Sequence, residues 1–237
     1  MVSDVKALIY DVFGTCVDWR NGVAREVAAV ARAKGVDLDP LAFADTWRAN
    51  YQPSMETVRS GKRPWTILDV LHRETLDGLL PRFGLAGKLS EDEVNDLNRA
   101  WHRLDPWPDT VPGLTRLKRK FIIAPHSNGN VALLLDMAKR AGIPWDCILG
   151  SEVVRNYKPV PASYLEAVRI LGLKPPQVMM VAAHNRDLRA AQALGLRTGF
   201  VPRPTEHGSN QKTDLAPDGN WDVVARDFNH FADQVGA

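Results

Sequence analysis

The chain has 237 residues, 45% of them hydrophobic and 24% charged, with a formal net charge of +2 from 30 basic and 28 acidic side chains. That composition is ordinary for a globular protein with a sizeable core, and without a long basic run nucleic-acid binding has little support and is not expected. No apolar run approaches the ~20 residues of a membrane span. No secretory pattern opens the chain, and Cys16 and Cys147 are too few for a disulfide framework, so the expectation is a cytoplasmic protein handling a small molecule.

In chain order, Val5-Lys6-Ala7-Leu8-Ile9-Tyr10 is a short apolar run suited to the centre of a parallel sheet, and it ends at Asp11. Gly14 allows a sharp turn there. From about Val17 to Trp101 the chain reads as mostly helical. Asn21 is expected to cap a helix through Lys34, with Val23, Val27 and Val30 at helical spacing and Gly35 as its stop. A second helix is expected from Leu41 to Arg59, broken or kinked at Pro53. Pro64 is expected to start a third, with Ile67, Leu68, Leu71 and Leu76 on one face. Ser90-Glu-Asp-Glu93 reads as a capping box opening a fourth. Strand signals resume at 121–124, 147–149, 178–182 and 198–201, with helices expected over 130–140 (stopped by Gly142), 161–171 and 187–194. Residues 202–220, polar and rich in Pro and Gly, read as a surface loop. This alternation implies an α/β fold: a Rossmann-like parallel-sheet core from residues 1–16 and 102–237, with a helical cap of residues 17–101 inserted after the first strand.

Open α/β sheets carry their reacting groups at the C-terminal edge of the strands, so Asp11 is a candidate nucleophile. Phe13, two residues on, cannot donate a proton. A nucleophile without an acid suits a leaving group that needs no proton, such as a halide. Ser127 and Asn128, with free N–H groups before the next helix, could bind an oxyanion or simply form a capping turn. Lys158 is either a solvated surface cation or the partner that keeps Asp11 ionised. Asp187 caps a helix, orients Lys158 or accepts a proton from water, and His184 is a second base or a structural residue. Ala183 stands where a further metal carboxylate would sit, and Phe13 offers only its carbonyl. A hard cation would therefore lack ligands, and no metal or cofactor is expected.

With Asp11-Val-Phe-Gly-Thr15, Ser127-Asn128-Gly129, Tyr157-Lys158-Pro159 and the segment ending at Asp187 in order, the chain resembles the haloacid dehalogenase superfamily over essentially its whole length. Within it, the chain is similar to the type II (S)-2-haloacid dehalogenases. In the related phosphatases a second Asp, standing where this chain has Phe13, protonates the departing alcohol. The resemblance implies a cleft between core and cap, no cofactor, and a frequent homodimer. It implies hydrolysis of (S)-2-haloacids to (R)-2-hydroxyacids through an ester on Asp11, whose carboxylate Thr15 supports. Arg48, in a matching Trp47-Arg48 pair, and Asn128 would catch the halide. Ser127 with neighbouring N–H groups would hold the substrate carboxylate, Phe13 would line the substrate site, and Tyr164 matches a tyrosine near it. One departure stands out: many members carry Ser-Ser-Asn where this chain has Ala182-Ala183-His184. Either His184 positions the hydrolytic water or the preferred substrate differs, as a smaller or fluorinated acid would. A phosphatase acting on a small phosphorylated metabolite and a non-catalytic small-acid binding protein are the alternatives.

Overall fold

The computed structural model describes residues 2–237. The chain opens with β1 (Ala7–Tyr10) and β2 (Val17–Asp18), followed by five helices: α1 (Trp19–Ala33), α2 (Pro40–Ala49), α3 (Tyr51–Arg59), α4 (Leu68–Leu79) and α5 (Glu91–Asn98). Then come β3 (Asp105–Pro106), α6 (Thr110–Leu117), β4 (Ile122–Pro125), α7 (Val131–Ala141), α8 (Ser151–Val154) and α9 (Pro161–Ile170). The chain finishes with β5 (Val178–Ala182), α10 (Asn185–Gln192), β6 (Arg197–Phe200), β7 (Val223–Val224) and α11 (Phe228–Val235).

Five strands form a parallel sheet in the order β4-β1-β5-β6-β7. β1 is its hinge in register, with Ala7 opposite both Ile122 and Val178. Its side chains alternate faces, as a strand requires. Leu8 and Tyr10 enter one core with Val23, Leu114 and Phe228, while Ala7 and Ile9 enter the other with Tyr164, Ala167 and Leu188. β1 is therefore covered on both sides, which explains its unbroken apolar run. The helices between β1 and β3 pack mainly on one another.

Local chemistry sets the helix ends and corrects several expected boundaries. Asp18, not Asn21, caps α1: its Oδ1 accepts the Asn21 backbone N–H at 3.1 Å. The break in the second helical stretch falls at Asn50 rather than Pro53. Pro53 sits in the first turn of α3, where an N–H would have no helical partner anyway. The third helix starts at Leu68 instead of Pro64, with Leu68, Leu71 and Leu76 buried as expected. The capping box at Ser90 and Glu93 is present. Residues 147–149 are not a strand. Asp146 Oδ2 accepts the Ile123 N–H at 2.9 Å, where a strand carbonyl would sit, so the segment only follows the edge of β4. Helices α6 and α11 and strand β7 were not expected from the sequence.

Residues 202–220 contain no helix or strand, in line with the sequence, yet part of that segment is interior. Arg203 is 8% exposed and Glu206 1%. Arg203 donates to both Asp109 oxygens at 2.6 and 2.8 Å and to the Thr15 carbonyl at 2.9 Å, with its guanidinium over the Phe228 ring. It ties the loop to the turn after Asp11. Burial alone would raise the Asp109 carboxyl, but Arg203 outweighs it and holds the group below its ordinary value. Arg203→Met should leave Asp109 buried without a counter-charge and cost about 3 kcal/mol in chemical denaturation at neutral pH. Because the Asp109 pKa is lowered on folding, its stabilisation is present above about pH 4 and fades as pH falls through the lowered value. The gap between the two proteins should narrow in acid, and a pH-independent gap would contradict this account.

Candidate active site

The ladder runs one residue past the strands: Asp11 N–H donates to the Val181 carbonyl at 3.0 Å, and His126 N–H to the Tyr10 carbonyl at 2.7 Å. The C-terminal ends of β4, β1 and β5 therefore open side by side, carrying residues 126–130, Asp11 and residues 183–187. β1 lies where the chain's path across the sheet reverses, and open α/β sheets form a crevice there. Lys158, just before α9, reaches the same place.

Asp11 is 8% exposed and both its oxygens are engaged. Lys158 Nζ donates to Oδ1 at 2.8 Å, while Thr15 Oγ1 donates to Oδ2 at 2.7 Å. The Thr15 hydroxyl accepts the Ala183 N–H at 2.9 Å, so its own proton is directed to Asp11. Burial would raise the Asp11 carboxyl, but Lys158 and then His184 outweigh burial and hold it well below the usual carboxylate range. Burial likewise opposes the charge on Lys158, and the carboxylates of Asp11 and Asp187 reverse that, pushing the ammonium above its ordinary value. Lys158 Nζ also donates to Asp187 Oδ2, and the Tyr164 hydroxyl donates to Asp187 Oδ1. Asp187 lies in the first turn of α10 with its carboxylate turned to these partners, so it does not cap the helix.

His184 sits between two carboxylates. Its Nδ1 is 3.0 Å from Asp11 Oδ2 and its Nε2 is 2.8 Å from Glu206 Oε2. Each nitrogen faces a carboxylate oxygen, an arrangement that a doubly protonated imidazolium satisfies with a donor on both sides. Burial would lower its pKa, but Glu206 and Asp11 raise it well above the ordinary histidine value. A doubly protonated ring cannot accept a proton, so His184 in this state is not the base considered from the sequence. Glu206 also accepts from Trp19 Nε1 at 2.9 Å. Gly14 makes room for it: φ is +86°, and a Cβ there would lie 2.0 Å from Glu206 Oε1.

These groups line a cavity of about 640 Å³ that also takes in Phe13, Arg48, Tyr51 and Asn128. Phe13 packs edge-on against Trp101 at 5.8 Å and Tyr51 at 6.2 Å, so residue 13 presents only a hydrocarbon wall. The Arg48 guanidinium lies 4.1 Å from the Tyr51 ring centre and 5.2 Å from that of Trp19, and its Nη1 is buried without a hydrogen bond. Asn128 Oδ1 accepts the Lys158 backbone N–H at 2.8 Å, which leaves Nδ2 to donate. Ser127 stands apart. It is not among the residues that line the cavity, and its hydroxyl accepts the Gly129 N–H at 3.3 Å, which leaves its own proton to donate. The residues do not fit a magnesium ion. The Lys158 ammonium fills the place between Asp11 and Asp187, and no cluster of three metal-binding side chains occurs among the described residues.

A family model described as haloacid dehalogenase-like hydrolase matches residues 5–195. The chain belongs to that family. It is similar to the crystal structure of the defluorinating L-2-haloacid dehalogenase Rha0230, with 53% identity, a TM-score of 0.96, and coverage of 98% of this chain and 96% of that one. It is 26% identical to (S)-2-haloacid dehalogenase 4A of Burkholderia cepacia, covering 98% of this chain and 100% of that protein. A phosphoglycolate phosphatase of Neisseria meningitidis (serogroup A) is 32% identical over 82% of this chain and 79% of its own length.

Of the residues singled out in this haloacid dehalogenase-like hydrolase, Asp11, Thr15, Lys158, Tyr164, His184 and Asp187 form one connected network, and Phe13, Arg48 and Asn128 line the same cavity. Sequence reasoning missed Glu206, Trp19 and Tyr51. Glu206 lies in a polar Pro- and Gly-rich stretch that carries no local signal; only the need of His184 for a counter-ion pointed to a missing acid. Nitrogen-15 NMR of labelled histidine should find both His184 ring nitrogens protonated at pH 7, with the proton lost only well above the ordinary value of about 6.5. The stabilisation from this contact is full below that ordinary value and disappears as pH rises through the raised one. A neutral tautomer at pH 7 would contradict the imidazolium.

Proposed function

We propose that the protein hydrolyses the carbon–halogen bond of short 2-haloalkanoic acids through an ester on Asp11. One observation carries the reading. Asp11 is a buried carboxylate held ionised by Lys158 in a cavity where residue 13 is a phenyl wall. Residue 13 offers no proton, and the protons of Lys158 and His184 are directed at carboxylates, which fits a leaving group that departs as an anion. One Asp11 oxygen attacks Cα from the face opposite the halogen. The new C–O bond forms as the C–X bond breaks and its electron pair leaves with the halide. The unpartnered Nη1 of Arg48 and the Nδ2 of Asn128 are the donors for that halide. The ring-walled setting of Arg48 keeps water away and strengthens its pull. Water then adds to the ester carbonyl of Asp11 with Asp187 as base, releasing the 2-hydroxyacid with inversion at Cα.

Helices α1 to α3, which bring Trp19, Arg48 and Tyr51, act as the cap of this site within residues 17–101, and the core is residues 1–16 and 102–237. The likeness to a protein named as defluorinating supports extending the substrate range to fluoroacetate. The identity to a phosphoglycolate phosphatase keeps a second reading in view, but Phe13 and the Lys158 ammonium between the carboxylates both oppose it.

Halide release from chloro-, bromo- and fluoroacetate should proceed unchanged in excess chelator. Strict dependence on magnesium, or turnover of phosphoglycolate alone, would overturn the dehalogenase reading. Asp11→Asn should lower turnover by several orders of magnitude. In heavy-oxygen water, a single turnover with enzyme in excess should give unlabelled hydroxyacid and label in the Asp11 carboxylate. Fully labelled product would rule out the ester.

A further inference from the structure

We infer that His184, held as an imidazolium by Glu206, is the oxyanion donor of ester hydrolysis, and that Glu206 is the positioning residue that keeps it charged during that step. This rests on the dehalogenase reading and adds to it which Asp11 oxygen does what. Oδ2 already carries two donors, the Thr15 hydroxyl at 2.7 Å and His184 Nδ1 at 3.0 Å, whereas Oδ1 has only Lys158. Oδ1 is the freer oxygen and makes the bond to Cα, so Oδ2 becomes the ester carbonyl. When water adds to Cγ, the negative charge develops on Oδ2, where two donors stand at oxyanion-hole distance before the reaction begins. Water gives one proton to Asp187. The Cγ–Oδ1 bond breaks, and Oδ1 leaves as the hydroxyl oxygen of the product with that proton. The acid left on Asp11 loses its remaining proton to solvent.

Glu206 has a specific part in this sequence. In the resting site His184 faces two anions, Asp11 and Glu206. Ester formation neutralises Asp11, and Glu206 is then the one carboxylate still bonded to the ring. Without it the imidazolium would tend to lose its proton in the step that needs the charge. The other charged groups around the pair are Lys158, bonded to Asp11, His207 at 3.6 Å from Glu206 Oε1, and Asp45, Arg48, Arg186, Asp187 and Asp214 on the cavity wall. Glu206 is itself held by Trp19 from α1, and Gly14 leaves it space.

The test is rapid-quench kinetics with bromoacetate across pH, following halide release and the ester on Asp11 separately. In the wild-type protein, the hydrolysis rate constant should fall as pH rises through the His184 titration. A rate constant that instead rises through that titration would make His184 the base and overturn the assignment without any variant. In Glu206→Gln the halide burst should survive. Ester should accumulate, with hydrolysis slowed about tenfold to a hundredfold above neutral pH, and the falling limb should move down toward about 6.5. A purely structural role for Glu206 would slow both steps and leave the limb in place, and that result would also overturn the assignment. Absence of any halide release by the wild type would overturn the dehalogenase reading, and this assignment with it.

Discussion

Two carboxylates, Asp11 and Asp187, are buried at the end of the sheet with one lysine ammonium between them. Three buried charges in contact are stable only if each has its partners, because unpaired charge in a protein interior is strongly penalised. Lys158 compensates both acids, Thr15 and Tyr164 satisfy the remaining oxygens, and His184 adds a second cation against Asp11. That cation is in turn compensated by Glu206. Three carboxylates, Asp11, Asp187 and Glu206, are thus met by Lys158 and His184, and Arg48 lies on the wall of the same cavity.

That pairing has a chemical consequence. A carboxylate tied this firmly stays ionised, which a nucleophile requires, and its geometry is set by donors on both oxygens. The same lysine fills the place between Asp11 and Asp187, which opposes a magnesium ion there. Residue 13 is a ring packed on Trp101 and Tyr51, with no proton to give.

The loop after β6 is a working part of the site. Arg203 anchors it through Asp109 and the Thr15 carbonyl, and Glu206, three residues later, reaches both His184 and Trp19. The glycine of the Asp-Val-Phe-Gly-Thr motif therefore has two uses. Its positive φ makes the turn, and its missing side chain leaves the volume that the Glu206 carboxylate fills. The turn that carries Asp11 and the loop that supplies Glu206 depend on each other.

The sequence by itself determined the α/β class, the central strand, the helical insertion and most of the network around Asp11. Those features are written locally: an apolar run buried on both faces, capping boxes and stops, and motif residues placed just after strands, where parallel pairing brings them together. Helix ends were less legible, because Asp18 and Asn21 are both competent caps and only packing chooses between them. The strand expected at 147–149 failed because the Asp146 side chain supplanted a backbone acceptor, a competition that apolar patterning cannot register. Only the tertiary structure decided that Ser127 is not among the cavity-lining residues, that Glu206 enters the cavity from a loop that reads as surface, and that both His184 nitrogens face carboxylates. The charge state of a histidine depends on what faces each of its nitrogens. Here the two acceptors lie 173 and 22 residues away along the chain, a separation that no local pattern records.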